Sequence, residues 1–343
     1  MATVLAFRYG PGNKGKFMKY GLSRLLAVGF CALAAGVSPS ASADAYPSKP
    51  IRLLVGFPPG GPTDIIARLI GKGLSEQLGQ PVVVENRGGA GGVIAARVVA
   101  TSPPDGYTLL VSVESSQTRG VALNKSLPYD AVKDFSYVGK IAKQRNLLVV
   151  NPQLPFADVK GLISYAKAHA GQLNYSGTYG ATSHIGGALF DMDNAVKMTF
   201  VSYPGGAQPI TDLIAGVVQV GFFTEATVAA HVKTGKLKAL AIAGPERSPD
   251  FPAVPTLTEA GAKPMELSPW FGLTGPAGMS PEVMTRLSQT VAALVQDKQF
   301  QAQLATIGAV PIVGSTPQSF QKDIEREIDF WKKFVVDANV PVN

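Results

Sequence analysis

The sequence predicts an α/β protein of two lobes, each a mostly parallel sheet flanked by helices, with a ligand cleft between them. Three observations carry that prediction. Short apolar runs alternate with amphipathic helical patterns from residue 46 to the C-terminus. Gly-rich loops follow the strands ending near Phe57, Val113, Ser176 and Ser202, the position at which open α/β sheets hold ligands. About 300 residues follow an N-terminal leader, enough for two cores.

The first strand reads Ile51, Leu53, Leu54, Val55 and Phe57, the dense apolar run of a covered parallel strand. Pro58 and Pro59 stop it, and Gly60 and Gly61 leave backbone N–H groups without side-chain cover. Thr63 or Asp64 is then positioned to cap a helix whose apolar face is Ile65, Ile66, Leu69, Ile70, Leu74 and Leu78. Exposed N–H groups at a helix N-terminus attract an anion. No Lys-Ser/Thr follows Gly61, which excludes a nucleotide P-loop. The segment reads as a carboxylate-binding loop or, taken alone, equally as a tight strand-to-helix turn.

Further strands are predicted over 81–85, 107–113, 137–142, 147–151, 173–176, 200–202, 217–223, 236–243 and 270–276. Helices are predicted over 93–100, 162–170, 184–192, 209–215, 281–297 and 317–338. The first lobe then comprises 46–143 with 268–343, and the second 144–267, so the chain crosses between lobes twice. Gly88-Gly89-Ala90-Gly91-Gly92 lacks a dinucleotide-binding register and reads better as a mobile loop.

Residues 1–43 contain five cations and no acid, an apolar stretch over 25–37, and Ala41-Ser42-Ala43. This is a signal-peptide pattern with cleavage after Ala43, and Met18 is an alternative start. The apolar stretch of about 13 residues is short against the ~20 of a spanning helix. The precursor's net charge of +7 less those five cations leaves +2 on the mature chain, which gives no basis for nucleic-acid binding. Cleavage removes Cys31, the only cysteine, and with it disulfides, a thiol nucleophile and thiolate metal ligands. The three histidines, His169, His184 and His231, have no ligand spacing. Neither a metal nor a cofactor is expected.

Tyr175 to His184 repeats the logic of the first loop: strand, Gly-containing turn, hydroxyl residues, helix N-terminus. Thr178, Thr182 and Ser183 offer side-chain donors, and Gly180, Ala181 and Thr182 offer amides. His184 is favoured as a hydrogen-bonded loop histidine over a catalytic one, and no Gly-x-Ser-x-Gly elbow supports a Ser183–His184–Asp64 hydrolase. Glu114, exposed with Ser115 at a strand end, either receives a cationic ligand group or caps a helix. Arg87, Arg119 and Arg145 are candidates to pair with a carboxylate directly, with solvation at the surface the favoured reading for each. Phe222 and Phe223 are core by default, although with Tyr179 and Tyr203 they are also candidates to line an apolar pocket.

Together these segments resemble the Bug family of extracytoplasmic solute receptors of tripartite tricarboxylate transporters. The resemblance rests on Tyr46-Pro-Ser-Lys-Pro-Ile-Arg52, Phe57-Pro-Pro-Gly-Gly-Pro-Thr-Asp64, Val84 to Gly92, Pro104-Asp-Gly-Tyr-Thr-Leu109, Tyr203 to Gly216 and Pro255 to Gly261. It implies a type II-like periplasmic binding fold that closes on a carboxylated small molecule. By that resemblance Phe57, Pro58, Pro59, Gly60, Gly61, Thr63 and Asp64 bind from the first lobe. Thr178, Tyr179, Gly180, Ala181, Thr182, Ser183 and His184 bind from the second, with Tyr203 and Gly205 beside them. The implied protein is a monomeric, non-enzymatic receptor in the periplasm of a Gram-negative bacterium, which delivers its solute to membrane permease subunits. A sensing partner of a membrane kinase is the alternative. Two departures stand out. Gly216-Val-Val-Gln219 replaces the family's Gly-Gln-Val-Asp, and Tyr179 enlarges a loop that often runs Gly-x-Gly-Thr. Both are compatible with an aromatic or less cationic solute.

Overall fold

The computed structural model describes residues 46–203, 207–338, 340 and 342. The leader, its alternative start at Met18, and Gly205 lie outside the described residues. Residues 46–343 form one compact unit built on two sheets.

The strands are β1 (Ile51–Val55), β2 (Val82–Asn86), β3 (Thr108–Val113), β4 (Phe135–Gln144), β5 (Asn146–Val150), β6 (Asn174–Thr178), β7 (Thr199–Tyr203), β8 (Val220–Thr224), β9 (Lys238–Ile242), β10 (Trp270–Pro276) and β11 (Ala309–Pro311). The first sheet has the order β11-β4-β10-β3-β1-β2 and the second β7-β6-β8-β5-β9. β1 pairs parallel with β2 and β3, while β10 pairs antiparallel with both β3 and β4. β6 pairs parallel with β7 and β8, and β5 antiparallel with both β8 and β9. Each sheet therefore keeps most strands in one direction: β10 and the short edge strand β11 are reversed in the first, and β5 in the second. The reversal arises where the chain changes sheets: only Arg145 separates β4 from β5, and β10 follows the return from β9.

The near-continuous apolar strands are buried on both faces. Leu53, Val55 and Leu109 enter one core and Leu54 and Leu110 another. In the second sheet Leu148 and Val150 face one core, Leu147 and Val149 the other. Successive side chains point to opposite faces, so each strand serves two helical layers, as helix-covered parallel sheets do. The C-terminal helix Pro317–Asp337 spans both lobes. Its Phe320, Ile324 and Ile328 pack with the first sheet, and its Trp331, Phe334 and Val335 with the second.

The glycine-rich stretch after β2 is a short 3-10 turn, Ala90–Gly92, and not an open loop. Gly92 has φ +99°, and a Cβ on Gly56 would lie 2.4 Å from the Gly92 Cα. Two backbones thus touch at the end of β1, where a side chain on Gly56 would force them apart and the positive φ of Gly92 favours glycine. The segment after β3 is also helical, as two short turns, Glu114–Gln117 and Arg119–Leu123.

Candidate functional site

A cavity of about 510 Å³ opens between the two sheets. Its first wall is built from Phe57, Thr63, Ala90, Gly91, Glu114 and Ser115. Thr178, Tyr179, Gly180, Ala181 and Thr182 form the opposite wall. Gln144, Trp270 and Phe271, at the crossings between the sheets, line it as well. Sequence reasoning missed Ala90, Gly91, Asn124 and Trp270 as lining residues. The Gly88–Gly92 run was the available signal for the first two.

Two helices begin at this cavity. One is Pro62–Leu78, with Gly61 as its extended N-cap and Pro62 at its first position. The other is Thr182–Asn194, with Ala181 as N-cap. Neither N-cap makes a side-chain capping bond, and amides of a helix's first turn have no acceptor within the helix. Thr63 and Thr182 therefore bring positively polarised N-termini from two different sheets to one space.

The first loop is organised differently from the sequence expectation. Asp64 is not the N-cap. It lies in the first turn, 2 % exposed, and accepts from Gly60 N at 2.9 Å, Arg68 Nε at 2.9 Å and Asn86 Nδ2 at 2.8 Å. Burial opposes its charge, but these three donors outweigh burial and hold its carboxyl below the ordinary range. Asn86 also donates to the Phe57 carbonyl at 3.0 Å. Asp64 is thus an internal brace that occupies the Gly60 amide. Pro58, Pro59, Gly60 and Gly61 do not line the cavity, whereas Phe57 and Thr63 do.

On the second wall Ser183 Oγ accepts from Thr178 N at 3.2 Å, and His184 Nδ1 accepts from Gly180 N at 3.2 Å. His184 is buried between Tyr179 and Phe200, with ring centroids 5.0 and 4.2 Å away. It borders a different cavity, with Asp191 and Asp337. Ser183 and His184 therefore shape the loop from behind. With Asp64 bonded elsewhere, no Ser-His-Asp relay forms. Tyr203 also lies off the cavity, and its hydroxyl donates to Asp212 Oδ2 at 2.7 Å. Phe222 is fully buried core, and Phe223 packs beneath the second sheet. Of the proposed aromatic pocket only Tyr179 faces the cavity. Gln219 accepts from Asn174 N at 2.9 Å at the opposite ends of the strands, so its exchange for Asp does not alter the cleft.

Burial, and then the nearby Arg119 charge, push the His184 pKa down to about 4. The unfolded histidine titrates near 6.5, so between those values the unfolded chain binds the extra proton. His184 therefore contributes stability that is complete above about pH 6.5 and lost as pH falls towards 4, on the order of 3 kcal/mol in full. Glu114 and Asp191, both raised to about 7, oppose this slope. In urea denaturation the stability of wild type minus that of His184→Phe should thus rise as pH goes from 4 to 6.5. An unchanged slope would refute this role.

The sharpest departure is Arg119. Expected in solvent, it is 6 % exposed and lines the cavity. Its Nη1 donates to Glu114 Oε2 at 3.0 Å, and its Cζ lies 5.7 Å from the Trp331 ring centroid. Its buried Nε has no hydrogen-bond partner. No group of three or more potential metal ligands occurs among the described residues.

Two helix N-termini face a shared cavity between two mixed sheets, an arrangement suited to holding an anion. Comparison with known proteins agrees: residues 66–340 match the family model for the tripartite tricarboxylate transporter family receptor. The chain belongs to that family. This receptor is 37% identical to Protein BugT of Bordetella pertussis strain Tohama I over 313 residues, 90% of this chain and 96% of BugT. Among solved structures, R. palustris Rpa4515 with adipate superposes with TM-score 0.75 at 35% identity, covering 87% of this receptor and 100% of that chain. MatC from Rhodopseudomonas palustris with bound malate gives TM-score 0.70 at 31% identity, over 84% of this receptor and all of that chain. The two-lobed binding-protein architecture expected for the receptor is shared with these relatives.

Proposed function

We propose that this protein is a periplasmic receptor that captures an organic carboxylate between its lobes and delivers it to the permease subunits of a tripartite tricarboxylate-type transporter. The lobes are taken as 46–143 with 268–343, and 144–267. The observation that carries the reading is the convergence of Thr63 and Thr182, each in the first turn of a helix, on one cavity of about 510 Å³. Such a volume suits a small ligand, and two helix N-termini neutralise a carboxylate without a buried lysine. The ligands of the two similar structures, adipate and malate, are of this class. Binding is non-covalent: Ser183 and His184, the candidate hydrolytic pair, are engaged in loop hydrogen bonds. The leader directs export, and no helix among the described residues is long and apolar enough to cross a membrane. The receptor acts as a monomer.

A thermal-shift screen of mono-, di- and tricarboxylates tests this directly. A cognate ligand at 100 times its Kd stabilises the fold by about 2.7 kcal/mol. Stabilisation by neutral sugars or amines, with none by any carboxylate, would end the reading. Radiolabelled uptake in cells lacking the receptor then tests delivery.

A further inference from the structure

We propose that Arg119 and Glu114 form a second anion-reading point at which a distal carboxylate of the ligand takes Arg119 while Glu114 takes up a proton. This rests on the carboxylate reading above and deepens it. The ligand is then a dicarboxylate, and its binding is coupled to proton uptake.

Among the described residues Arg119 is the one buried guanidinium that lines the cavity, and it is only half satisfied. One terminal nitrogen is bonded to Glu114, while its Nε is buried without a partner. A planar guanidinium with donors to spare matches a carboxylate. Glu114 also lines the cavity, at a side-chain exposure of 13%. While Glu114 is ionised the pair is neutral. A distal carboxylate arriving beside an ionised Glu114 would leave two anions on one buried cation, an arrangement that burial penalises heavily. One proton on Glu114 removes the excess charge and turns its carboxyl into a donor towards the incoming anion.

The surroundings make that protonation accessible. Glu114 also borders an adjoining cavity of about 800 Å³ whose walls carry Lys140, Lys143, Arg145 and Arg326 as cations and Asp193, Glu246, Glu266, Asp323 and Glu327 as anions. Lys140 is already bonded to Glu327 at 2.8 Å and Asp323 at 3.1 Å, and Lys143 to Glu266 at 3.3 Å. These cations are largely committed elsewhere. Burial raises the Glu114 pKa first, Arg119 and Lys140 lower it, and Glu327 and Glu266 raise it again, leaving it at about 7. Near neutral pH the proton therefore costs little. The rival occupant, a ligand ammonium group on Glu114, has the opposite signature, because it would stabilise the carboxylate and release protons.

Isothermal titration of the purified protein with adipate and malate, each beside a monocarboxylate of equal chain length, tests the proposal. Titrations at pH 8, where most Glu114 is ionised before ligand arrives, in buffers of different ionisation enthalpy count the protons. Expected are uptake of up to one proton per dicarboxylate, at least tenfold preference over the monocarboxylate, and weakening as pH rises from 6 to 8. Glu114→Gln should abolish the uptake and flatten the pH dependence. Arg119→Met should remove the preference for dicarboxylates. Equal binding of mono- and dicarboxylates, absence of proton uptake, or proton release would overturn the proposal while leaving the carboxylate reading intact. Failure of every carboxylate to bind would instead remove the reading beneath it. Should Arg119→Met not fold, proton counting on wild type and Glu114→Gln still decides.

Discussion

Thr182→Asp should weaken carboxylate binding at least 100-fold while leaving the fold slightly more stable. Thr182 opens the helix Thr182–Asn194 and faces the cavity. An aspartate there completes the helix N-terminus with its own charge, which favours the helix by about 0.3–1 kcal/mol. The same charge occupies the amides that a ligand carboxylate requires and repels it across a short distance. A 100-fold loss corresponds to about 2.7 kcal/mol of binding. Opposite signs for binding and stability distinguish this cause from simple damage, and Thr182→Asn, neutral and of similar size, should stay within several-fold of wild type. Calorimetric titration and thermal melting of the three proteins provide the check. An aspartate variant that binds as wild type would remove Thr182 from the site.

The second large effect concerns the back of the cavity. Glu327, on the C-terminal helix, accepts from Lys140 Nζ at 2.8 Å, Trp270 Nε1 at 2.9 Å and Thr118 Oγ1 at 3.1 Å. Trp270 is a cavity wall, and Thr118 precedes Arg119. Glu327→Ala should therefore cost about 2–3 kcal/mol. Three donors lose an acceptor, but Lys140 keeps Asp323 at 3.1 Å, which holds the cost below that of a fully orphaned buried cation. Urea titration measures the loss, and a changed Trp270 environment should appear in tryptophan fluorescence. Glu327→Gln, which retains an acceptor for Trp270 and Thr118, should lose less. A loss under 0.5 kcal/mol for the alanine variant would contradict the network.

Much of the fold was legible because burial on both faces writes an unmistakable signal. Leu53-Leu54-Val55 and Leu147 to Val150 are apolar at every position because helices cover both sides of their sheets. What escaped were elements with little apolar contrast. The helix Glu225–Lys233 buries only Glu225 and Val228, and β11 is three residues held at an edge by β4. The two loops ahead of these helix N-termini were legible as Gly-containing turns that open helices, since that pattern has a local cause. Which members face inward was not, because that depends on partners distant in sequence. Asp64 is turned to Gly60 by the loop and held there by Asn86 from β2. Arg119 read as one charge among many. Only the packing of Trp331, more than 200 residues later, shows that it is enclosed.

The C-terminal helix Pro317–Asp337 sets a mechanical condition on ligand capture. Fastened to one hydrophobic core by Phe320, Ile324 and Ile328 and to the other by Trp331 and Phe334, it acts as a stiff strut across the joint. A clamshell swing would have to bend this rod or tear one anchorage loose. Swivelling about the rod's long axis keeps both ends seated, so any movement of one core against the other that leaves this packing whole must turn about that axis.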